Sequence, residues 1–317
     1  MARTLIETPP VSTRSTLSVR DTDALNNNFE ELYNRASGAI SVEEYGAGTS
    51  DDTTAFSNAI AAAASADVPL LALGDEYNIN PTTLGVISSS VSIKFGRNTK
   101  INSLQTSGTK YAILRFAGGG LTGTAATVSA VADLTAQSKI TVSASADVAH
   151  LVKGDRVLIS ENEAAQTETR FTGSAITQDF NYREFATVYS VSGAEVTLEE
   201  FVRYPYSTSN SLQIQKAEFL EDVHVEGGNF YSPNASGGGI HFDYVLGGTI
   251  SDARFWGTAE NNKSGGAAIY FEHSWLCTAK DFFAQYTLFG FQGNQNQHCS
   301  FLNGMVKRTS NGGSILS

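Results

Sequence analysis

The stretch Val42–Ala64, VEEYGAGTSDDTTAFSNAIAAAA, decides the fold of this chain. A Gly-containing turn leads to Asp51 and Asp52, and an alanine-rich run follows them. Either acid can accept free N–H groups of a first helical turn, where its charge also suits the helix dipole. The apolar residues at helical spacing are Ala55, Phe56, Ala59, Ile60 and Ala63. They predict a helix with one buried face, suited to lie flat across the end of a wide β-structure.

This stretch resembles the N-terminal start of pectate-lyase-like right-handed parallel β-helices, a fold of bacteriophage tailspikes and polygalacturonase-type enzymes. There, an Ala-rich helix after Asp-Asp-Thr caps the first coil, and a segment like Val68–Ile79 follows. A Gly-x-Tyr element usually follows the helix. Here it lies within Val68–Ile79 and reads Gly74-Asp75-Glu76-Tyr77, one residue longer than the common form. The resemblance implies a fold and is nearly silent about the reaction. The alternative is an ordinary capped helix and strand in an α/β domain.

Composition narrows the class of protein. The 317 residues include 29 Gly and only 17% charged residues, which is typical of a protein built from strands and turns. The net charge of −11 argues against nucleic acid or an anionic membrane surface as a partner. Two cysteines, Cys277 and Cys299, are too few for a disulfide scaffold and fit assembly in a reducing cytoplasm.

The sequence contains no apolar run of the length that a membrane-spanning helix requires, so we expect no membrane insertion. The N-terminal residues MARTLIETPP contain no apolar core of a secretory signal peptide. This disfavours a third option for the chain, a secreted bacterial polysaccharide lyase.

Residues 1–38 are predicted to form an arm and a helix. About twenty extended residues precede Asp21–Ser37, a helical pattern that ends at Gly38. The apolar stripe of this helix is Leu25, Phe29, Leu32 and Ala36. The stripe can bury itself in a three-helix bundle with two further copies, or it can pack on its own β-helix, and the pattern leaves both open.

Residues 39–116 read as the start of the solenoid, with short apolar runs such as Val91–Phe95 and Tyr111–Phe116 between turns. Residues 117–216 read as a small antiparallel β-domain inserted into a solenoid loop, since Ser192-Gly193 marks a hairpin turn between apolar runs. Glu161–Tyr182 would be its polar arm. We interpret the acids of that arm, Glu161, Glu163 and Glu168, as part of a solvated loop.

Residues 217–317 contain an internal repeat. Two sets of short segments recur about 20 to 30 residues apart, as stacked coils require. The first set is Val225-Glu-Gly227, Ile250-Ser-Asp252, Ala279-Lys-Asp281 and Phe301-Leu-Asn303. The second set is Ile240-His-Phe242-Asp243, Ile269-Tyr-Phe271-Glu272 and Phe289-Gly-Phe291-Gln292. The repeat predicts β-helix rungs with Phe242, Phe271 and Phe291 stacked inside. We expect these rungs to continue beyond Ser317 or to be covered by a partner.

The second register places Asp243 and Glu272 one above the other on the outer face, near His241, Tyr270 and His273. Neighbouring carboxylates repel, so we expect one pKa to rise, as an acid beside a base or nucleophile requires. A carboxyl separation of about 5 Å suits a retaining glycosidase. The alternative is that acidic solenoids simply expose carboxylates. Asp243 and Glu272 are the candidate catalytic residues.

Other candidate sites are weaker. The first register aligns Asp252, Asp281 and Asn303 at the end of a strand, where such side chains bond to the backbone, so we interpret them as structural. The histidines show no metal-ligand spacing with Cys277 and Cys299, which we expect to stack as free thiols. No cofactor and no metal site are expected.

The resemblance to tailspikes implies a function. It implies a homotrimeric tailspike or tail-fibre subunit of a phage virion, bound to tail or adaptor proteins through residues 1–40 and assembled in the host cytoplasm. Its mainly β solenoid would recognise host surface polysaccharide. Two hypotheses stay open: the chain is a structural and attachment module, or it is itself a depolymerase, a hydrolase or lyase, acting through Asp243 and Glu272.

Overall fold

The computed structural model describes residues 38–105, 112–133, 137–161, 166–169, 175–178, 183–204, 206–232, 238–257, 266–307 and 314–316, with 133, 166–169, 175–178 and 314–316 described by backbone alone. The predicted arm and oligomerisation helix lie outside the described residues. Among those residues, no helix is long and apolar enough to cross a membrane.

The chain winds into a right-handed solenoid with three parallel sheets, here named A, B and C. Sheet A contains Ile40–Ser41, Leu70–Ala72, Ser92–Phe95, His224–Glu226, Thr249–Ser251, Thr278–Lys280 and Ser300–Leu302. Sheet B contains Glu76–Ile79, Lys100–Ser103, Asn229–Tyr231, Arg254–Trp256, Phe283–Gln285 and Met305–Lys307. Sheet C contains Val86–Ile87, Leu114–Ala117, Ile240–Asp243, Ala267–Glu272, Phe289–Asn294 and Ser314–Leu316. The predicted fold class, a parallel β-helix, is confirmed.

The first predicted register is also confirmed. Val225 pairs with Ile250, Ile250 with Ala279, and Ala279 with Phe301, so each lies in the next rung of sheet A. Inward side chains form one continuous core, in which the rings of Phe242 and Phe271 stack 5.5 Å apart. The core exists only because successive rungs cover each other's inner faces.

The second register is correct between its first two members and wrong at the third. Ile269 pairs with Phe291 rather than with Phe289, so the last strand is shifted by two residues from the expected alignment. Phe291 therefore does not stack directly on Phe271. Phe301 lies between them, with ring centroids 4.9 Å from Phe271 and 4.5 Å from Phe291. A shift of two residues keeps the same side chains pointing inward, so the alternation of apolar residues does not distinguish the two registers.

The bends between sheets A and B explain the aligned polar ladder. The residue that follows each of four successive strands of sheet A lies in the left-handed region. These residues are Gly227 (φ 76°), Asp252 (φ 55°), Asp281 (φ 54°) and Asn303 (φ 51°). Gly adopts this left-handed conformation without strain, and Asp and Asn tolerate it better than other residues. Asn303 Nδ2 also donates to Asp281 Oδ1 at 3.1 Å. The structural interpretation of Asp252, Asp281 and Asn303 agrees with this geometry.

Helix α1, Thr53–Ala66, covers the front of the solenoid as predicted, and its expected apolar face is buried. Phe56 packs edge-on against Tyr77, with ring centroids 5.0 Å apart, and also stacks on Phe95. The helix thus joins the inner faces of the first two rungs. A short helix α2, Pro81–Leu84, and three 3-10 helices, Val42–Tyr45, Ser145–Val148 and Thr208–Asn210, complete the helical elements of the described residues.

The two acids before α1 have different roles. Asp51 accepts the backbone N–H of Thr53 at 3.0 Å, and hydrogen bonding from Thr53 lowers the pKa of Asp51. Asp52 is buried and does not cap the helix. Its carboxylate instead accepts three backbone N–H groups at 2.8 Å each, from Gly48, Thr49 and Asn78. Asp52 therefore ties the turn before the helix to the first strand of sheet B.

The Gly-x-Tyr element has a similar role. Tyr77 is buried, its hydroxyl contacts Glu43, and it accepts the backbone N–H of Gly74 at 2.8 Å. Burial is the main cause of the raised pKa of Tyr77. The element thereby connects the first turn of the solenoid to the 3-10 helix before α1.

An antiparallel closed barrel interrupts the solenoid after Leu114–Ala117. Its strands, in neighbour order, are Arg156–Ser160, Arg183–Ser192, Glu195–Leu198, Ser138–Val142, Gly120–Asp133 and Gln213–Glu218. The last strand pairs with the first, and a separate apolar core fills the interior. Gln166–Thr169 and Ala175–Gln178 pair as an antiparallel hairpin within the expected polar arm. The predicted β-insert is present.

One residue of that arm was predicted wrongly. Glu161 is buried rather than solvated, and it accepts the backbone N–H of Ser207 at 2.8 Å. The polar sequence around Glu161 gives no sign of this partner, which is distant in the chain. The side chains of Glu163 and Glu168 lie outside the described residues.

The barrel packs directly on the solenoid. The ring of Phe185 stacks on Trp275 at 6.1 Å and meets Phe219 edge-on at 4.9 Å. Gln297 Nε2 donates to the carbonyl oxygen of Phe185 at 3.0 Å. Two further short strands on the solenoid side, Leu220–Glu221 and Val245–Leu246, pair in parallel next to this contact.

The two cysteines occupy equivalent positions in neighbouring rungs and are free, as expected. Cys277 Sγ donates to the carbonyl oxygen of Val245 at 3.3 Å, and Cys299 Sγ donates to that of Ser274 at 3.4 Å. Burial is the main cause of the raised pKa of Cys277, as is typical of a structural thiol.

Phe56→Ala tests the role of α1 as the cover of the solenoid. The change removes an aromatic ring from the contact between the helix and two rungs, and we expect it to lower the free energy of unfolding by about 3–5 kcal/mol. Urea unfolding followed by circular dichroism measures the loss. Ser57→Ala, at an exposed position of the same helix, is the control and should change stability by less than about 0.5 kcal/mol. Equal stability of both variants would contradict this role.

Candidate functional site

The candidate site lies on the outer face of sheet C. Strand alternation turns Ile240 and Phe242 into the core and His241 and Asp243 outward. His241 pairs with Tyr270, and Asp243 pairs with Glu272 in the next rung. The predicted stacking of the two carboxylates is therefore present, while their catalytic role stays a prediction.

Asp243 is held between two cationic or polar neighbours. Arg115 Nη2, from the preceding rung, lies 3.3 Å from Asp243 Oδ2. His273 Nδ1 lies 3.1 Å from Asp243 Oδ1. His273 reaches this place because the backbone turns into the left-handed region directly after Glu272, with φ of 46°. Both oxygens of Asp243 therefore have a partner.

Glu272 has three neighbours. Its Oε1 accepts from the Tyr270 hydroxyl at 2.9 Å and from Asn294 Nδ2 at 3.3 Å. Its Oε2 lies 3.2 Å from His241 Nε2. The interaction with His241 is the main cause that lowers the pKa of Glu272 to about 2, and the Tyr270 hydroxyl adds to it against the opposing effect of burial. Repulsion from Asp243 predicts a raised pKa for Glu272, but the pKa is lowered because the effect of these hydrogen-bonding partners is larger than the repulsion.

Ring stacking fixes the orientation of both histidines. His241 stacks on Tyr270 with centroids 4.5 Å apart and planes 17° from parallel. His273 stacks on Tyr244 at 4.7 Å and 21°. Burial and the charge of Glu272 raise the pKa of Tyr270 to about 12, so its hydroxyl stays protonated and keeps donating to Glu272.

The barrel borders the site on one side. Arg183 Nη1, at the start of a barrel strand, donates to Gln295 Oε1 at 2.7 Å, and Gln295 follows the sheet C strand that carries Asn294. The cavity between His273, Arg183, Phe185 and Gln297 has a volume of only about 10 Å³, room for about one water molecule. A large ligand would therefore lie on the open face of sheet C.

A larger groove lies elsewhere, beside the front of the solenoid. Its volume is about 390 Å³, and Glu43, Thr49, Asp75, Glu76 and Asn78 are among its lining residues. This groove is acidic and open, and it contains no cationic side chain among its described lining residues. We place the candidate site on sheet C because acids, imidazoles and a guanidinium converge there.

The same cluster includes a possible metal-binding group. One atom each of His241, Asp243 and Glu272 lies within 4.8 Å of the other two. These residues form no recognisable metal motif in the sequence, because two of them alternate on one strand and the third comes from the next rung. Arg115 and Asn294 were also not predicted from the sequence, because they contact the two acids from other rungs of sheet C. The outward position of Arg115 in the run YAILRF was the available signal.

Comparison with known proteins finds similarity in structure alone. No protein-family model and no curated protein sequence matches the chain. The fold resembles the tailspike protein gp49 from Pseudomonas phage LKA1, with a TM-score of 0.63 and 15% identity over 84% of this chain and 46% of that one. It also resembles the tailspike gp61 of Pseudomonas phage phi297, with a TM-score of 0.53 and 16% identity over 84% of this chain and 51% of that one.

A third similar structure is the gp54 tailspike of Acinetobacter baumannii bacteriophage AP22 in complex with A. baumannii capsular saccharide. The TM-score is 0.54, with 13% identity over 87% of this chain and 47% of that one. At these identities the likeness shows the fold. The chain spans about half the length of the three tailspikes.

Glu272→Gln tests the electrostatics of the site through stability. Because the pKa of Glu272 falls from its ordinary 4.5 to about 2 in the folded chain, the ionised carboxylate stabilises the fold fully above pH 4.5 and less as the pH falls towards 2. We expect the variant to be less stable at pH 7 by on the order of 1–2 kcal/mol, after allowing for solvent screening. Denaturant unfolding between pH 7 and pH 3 measures the difference, which should shrink below pH 4.5.

Glu226→Gln is the matched control, since Glu226 is an exposed carboxylate whose nearest charge, Lys94 Nζ, lies 3.9 Å away. Its effect should stay within about 0.5 kcal/mol at every pH. A stability deficit of Glu272→Gln that grows on acidification would be the opposite of the expected sign.

Proposed function

We propose that this chain is part of a bacteriophage tailspike subunit that binds host surface polysaccharide on the outer face of sheet C. The supporting observation is the likeness of fold to three tailspikes over more than four-fifths of the chain. One of them was solved in complex with a capsular saccharide. A fold of this kind therefore accommodates the proposed class of ligand.

The chemistry of sheet C supports sugar binding. Sugar hydroxyls both donate and accept hydrogen bonds, so they need acceptors and donors on one surface. Asp243 and Glu272 provide acceptors, and Arg115 and Asn294 provide donors. The stacked rings of His241 and Tyr270 provide a rigid surface next to them. Because partners hold each of these groups in place, little side-chain entropy is lost on binding.

The remaining parts of the proposal concern assembly. Residues 1–38 would form the virion-attachment arm and oligomerisation helix, and residues 1–40 would contact phage tail or adaptor proteins. Three copies would form a homotrimer, located in the virion tail after assembly in the host cytoplasm. These statements depend on the apolar stripe of Asp21–Ser37 and on the resemblance in fold.

A second candidate function is depolymerisation of the same polysaccharide. Asp243 and Glu272 pair in neighbouring strands of sheet C, about one strand spacing apart, which is close to the carboxyl spacing of about 5 Å in retaining glycosidases. With a pKa of about 2, Glu272 is ionised at neutral pH and would be the nucleophile. The acid would then be Asp243 or another group.

Arg115→Ala tests binding on sheet C. The change removes a donor next to Asp243, and we expect the dissociation constant for host capsule or O-antigen fragments to rise at least about tenfold, that is by about 1.4 kcal/mol. Biolayer interferometry with immobilised polysaccharide measures it. Lys94→Ala, which removes an ion-paired cation from the outer face of sheet A, is the control and should change the constant less than about twofold. Unchanged binding by Arg115→Ala with weakened binding by Lys94→Ala would move the site to sheet A.

A reducing-end assay on the same polysaccharides separates binding from cleavage. If the chain is a depolymerase acting through this pair, wild type releases reducing ends and Glu272→Gln loses at least about 10³-fold in rate, because the nucleophile is gone. A variant that cleaves at the full rate would remove Asp243 and Glu272 from consideration. No turnover by wild type, combined with tight binding, supports the attachment module.

A further inference from the structure

Three side chains on the outer face of sheet C bring atoms that can bind a metal ion close together. One ring nitrogen of His241 and one oxygen each of Asp243 and Glu272 lie within 4.8 Å of one another, and His241 Nε2 lies 3.2 Å from Glu272 Oε2. His241 and Asp243 are neighbours on the same face of one strand, and Glu272 stands beside Asp243 in the next rung. One imidazole nitrogen with two carboxylate oxygens is a donor set for divalent ions of the first transition row.

The imidazole nitrogen has one close but imperfectly aligned neighbour, the Glu272 carboxylate. His241 Nε2 is buried, and among the described residues it has no hydrogen bond of good geometry, although Glu272 Oε2 lies 3.2 Å away. A buried polar atom left in this state costs free energy, so such atoms usually have a bound ligand or water. The ring stacks on Tyr270 with its plane 17° from parallel. Nε2 lies on the edge of the ring that faces Glu272.

The neighbours orient the carboxylates in the way that outer-shell groups orient metal ligands. Tyr270 and Asn294 both donate to Glu272 Oε1, which leaves Oε2 facing His241. His273 and Arg115 hold Asp243. To share an ion at about 2.1 Å, the ligand atoms must move closer together by about 1 Å, so the Asp243 and Glu272 side chains must shift from the positions in which their partners hold them.

We propose that His241, Asp243 and Glu272 bind one divalent transition-metal ion, of the zinc or manganese class. Two carboxylates balance the charge of the ion. Calcium and magnesium prefer sites made of oxygen ligands alone, so they should bind more weakly here. Three protein ligands leave coordination positions open, and sugar hydroxyl or carboxylate oxygens can occupy them. Only this last step rests on the proposed polysaccharide binding.

Isothermal titration calorimetry tests the metal site without any polysaccharide. The full chain is stripped with a chelator, exchanged into chelator-free buffer, and titrated with zinc chloride, manganese chloride or calcium chloride. We expect one saturable zinc or manganese site per chain and at least tenfold weaker calcium binding. His241→Ala and Glu272→Gln should each weaken zinc and manganese binding at least tenfold.

The matched controls are His224→Ala and Glu226→Gln, the same residue types on the outer face of sheet A, and each should change the affinity less than twofold. Thermal unfolding confirms that each variant is folded, and Asp243→Asn serves as the third ligand variant if His241→Ala does not fold. Absence of a saturable zinc or manganese site in wild type, or equal losses in ligand and control variants, would overturn the proposal. A metal site combined with no polysaccharide binding would refute the proposed function and leave the metal site standing.

Discussion

The in-register parallel pairing of the rungs is the constraint on which the rest of this molecule depends. Each inner strand of sheets A, B and C forms backbone hydrogen bonds with the rungs before and after it, so each side chain lies beside its counterpart one strand spacing away. In the core of the solenoid, this pairing stacks apolar side chains of successive rungs on one another, for example Val225, Ile250 and Ala279. The pairing also creates an open front edge, which natural β-structures cover. Helix α1 covers it here, with Phe56 placed between the first two rungs.

The same pairing creates the site. Outside the core, it forces Asp243 and Glu272 side by side, an arrangement that is unfavourable for two bare carboxylates. The chain compensates with Arg115 and the two histidines, held by left-handed corners and ring stacks. The compensation lowers the pKa of Glu272 instead of raising it. Their partners thus hold the two carboxylates in defined positions on the outer face of sheet C.

Much of this architecture could be predicted from the sequence, because it depends on local patterns. The face of α1, the alignment of Val225 with Ile250 and Phe301, and the stacking of Asp243 on Glu272 all follow from periodicity. The two-residue shift at Phe291 did not follow, because it preserves the pattern of inward residues. Contacts between residues far apart in the sequence could not be predicted either, because they leave no local pattern. The buried Glu161 accepts the backbone N–H of Ser207, and Asp52 accepts the backbone N–H of Asn78 rather than capping α1. The barrel insert separates Arg115 from Asp243 in the sequence, so their contact is not visible as a local pattern.

A crystal structure of the full chain with a bound oligosaccharide from the host surface tests the central claim most directly, that in-register stacking assembles a polysaccharide site on sheet C. The account predicts Asp243 and Glu272 in adjacent rungs, with the sugar over His241 and Tyr270 and hydrogen-bonded to Arg115 or Asn294. A sugar bound on sheet A or sheet B, or a register in which Asp243 does not stand beside Glu272, would contradict it.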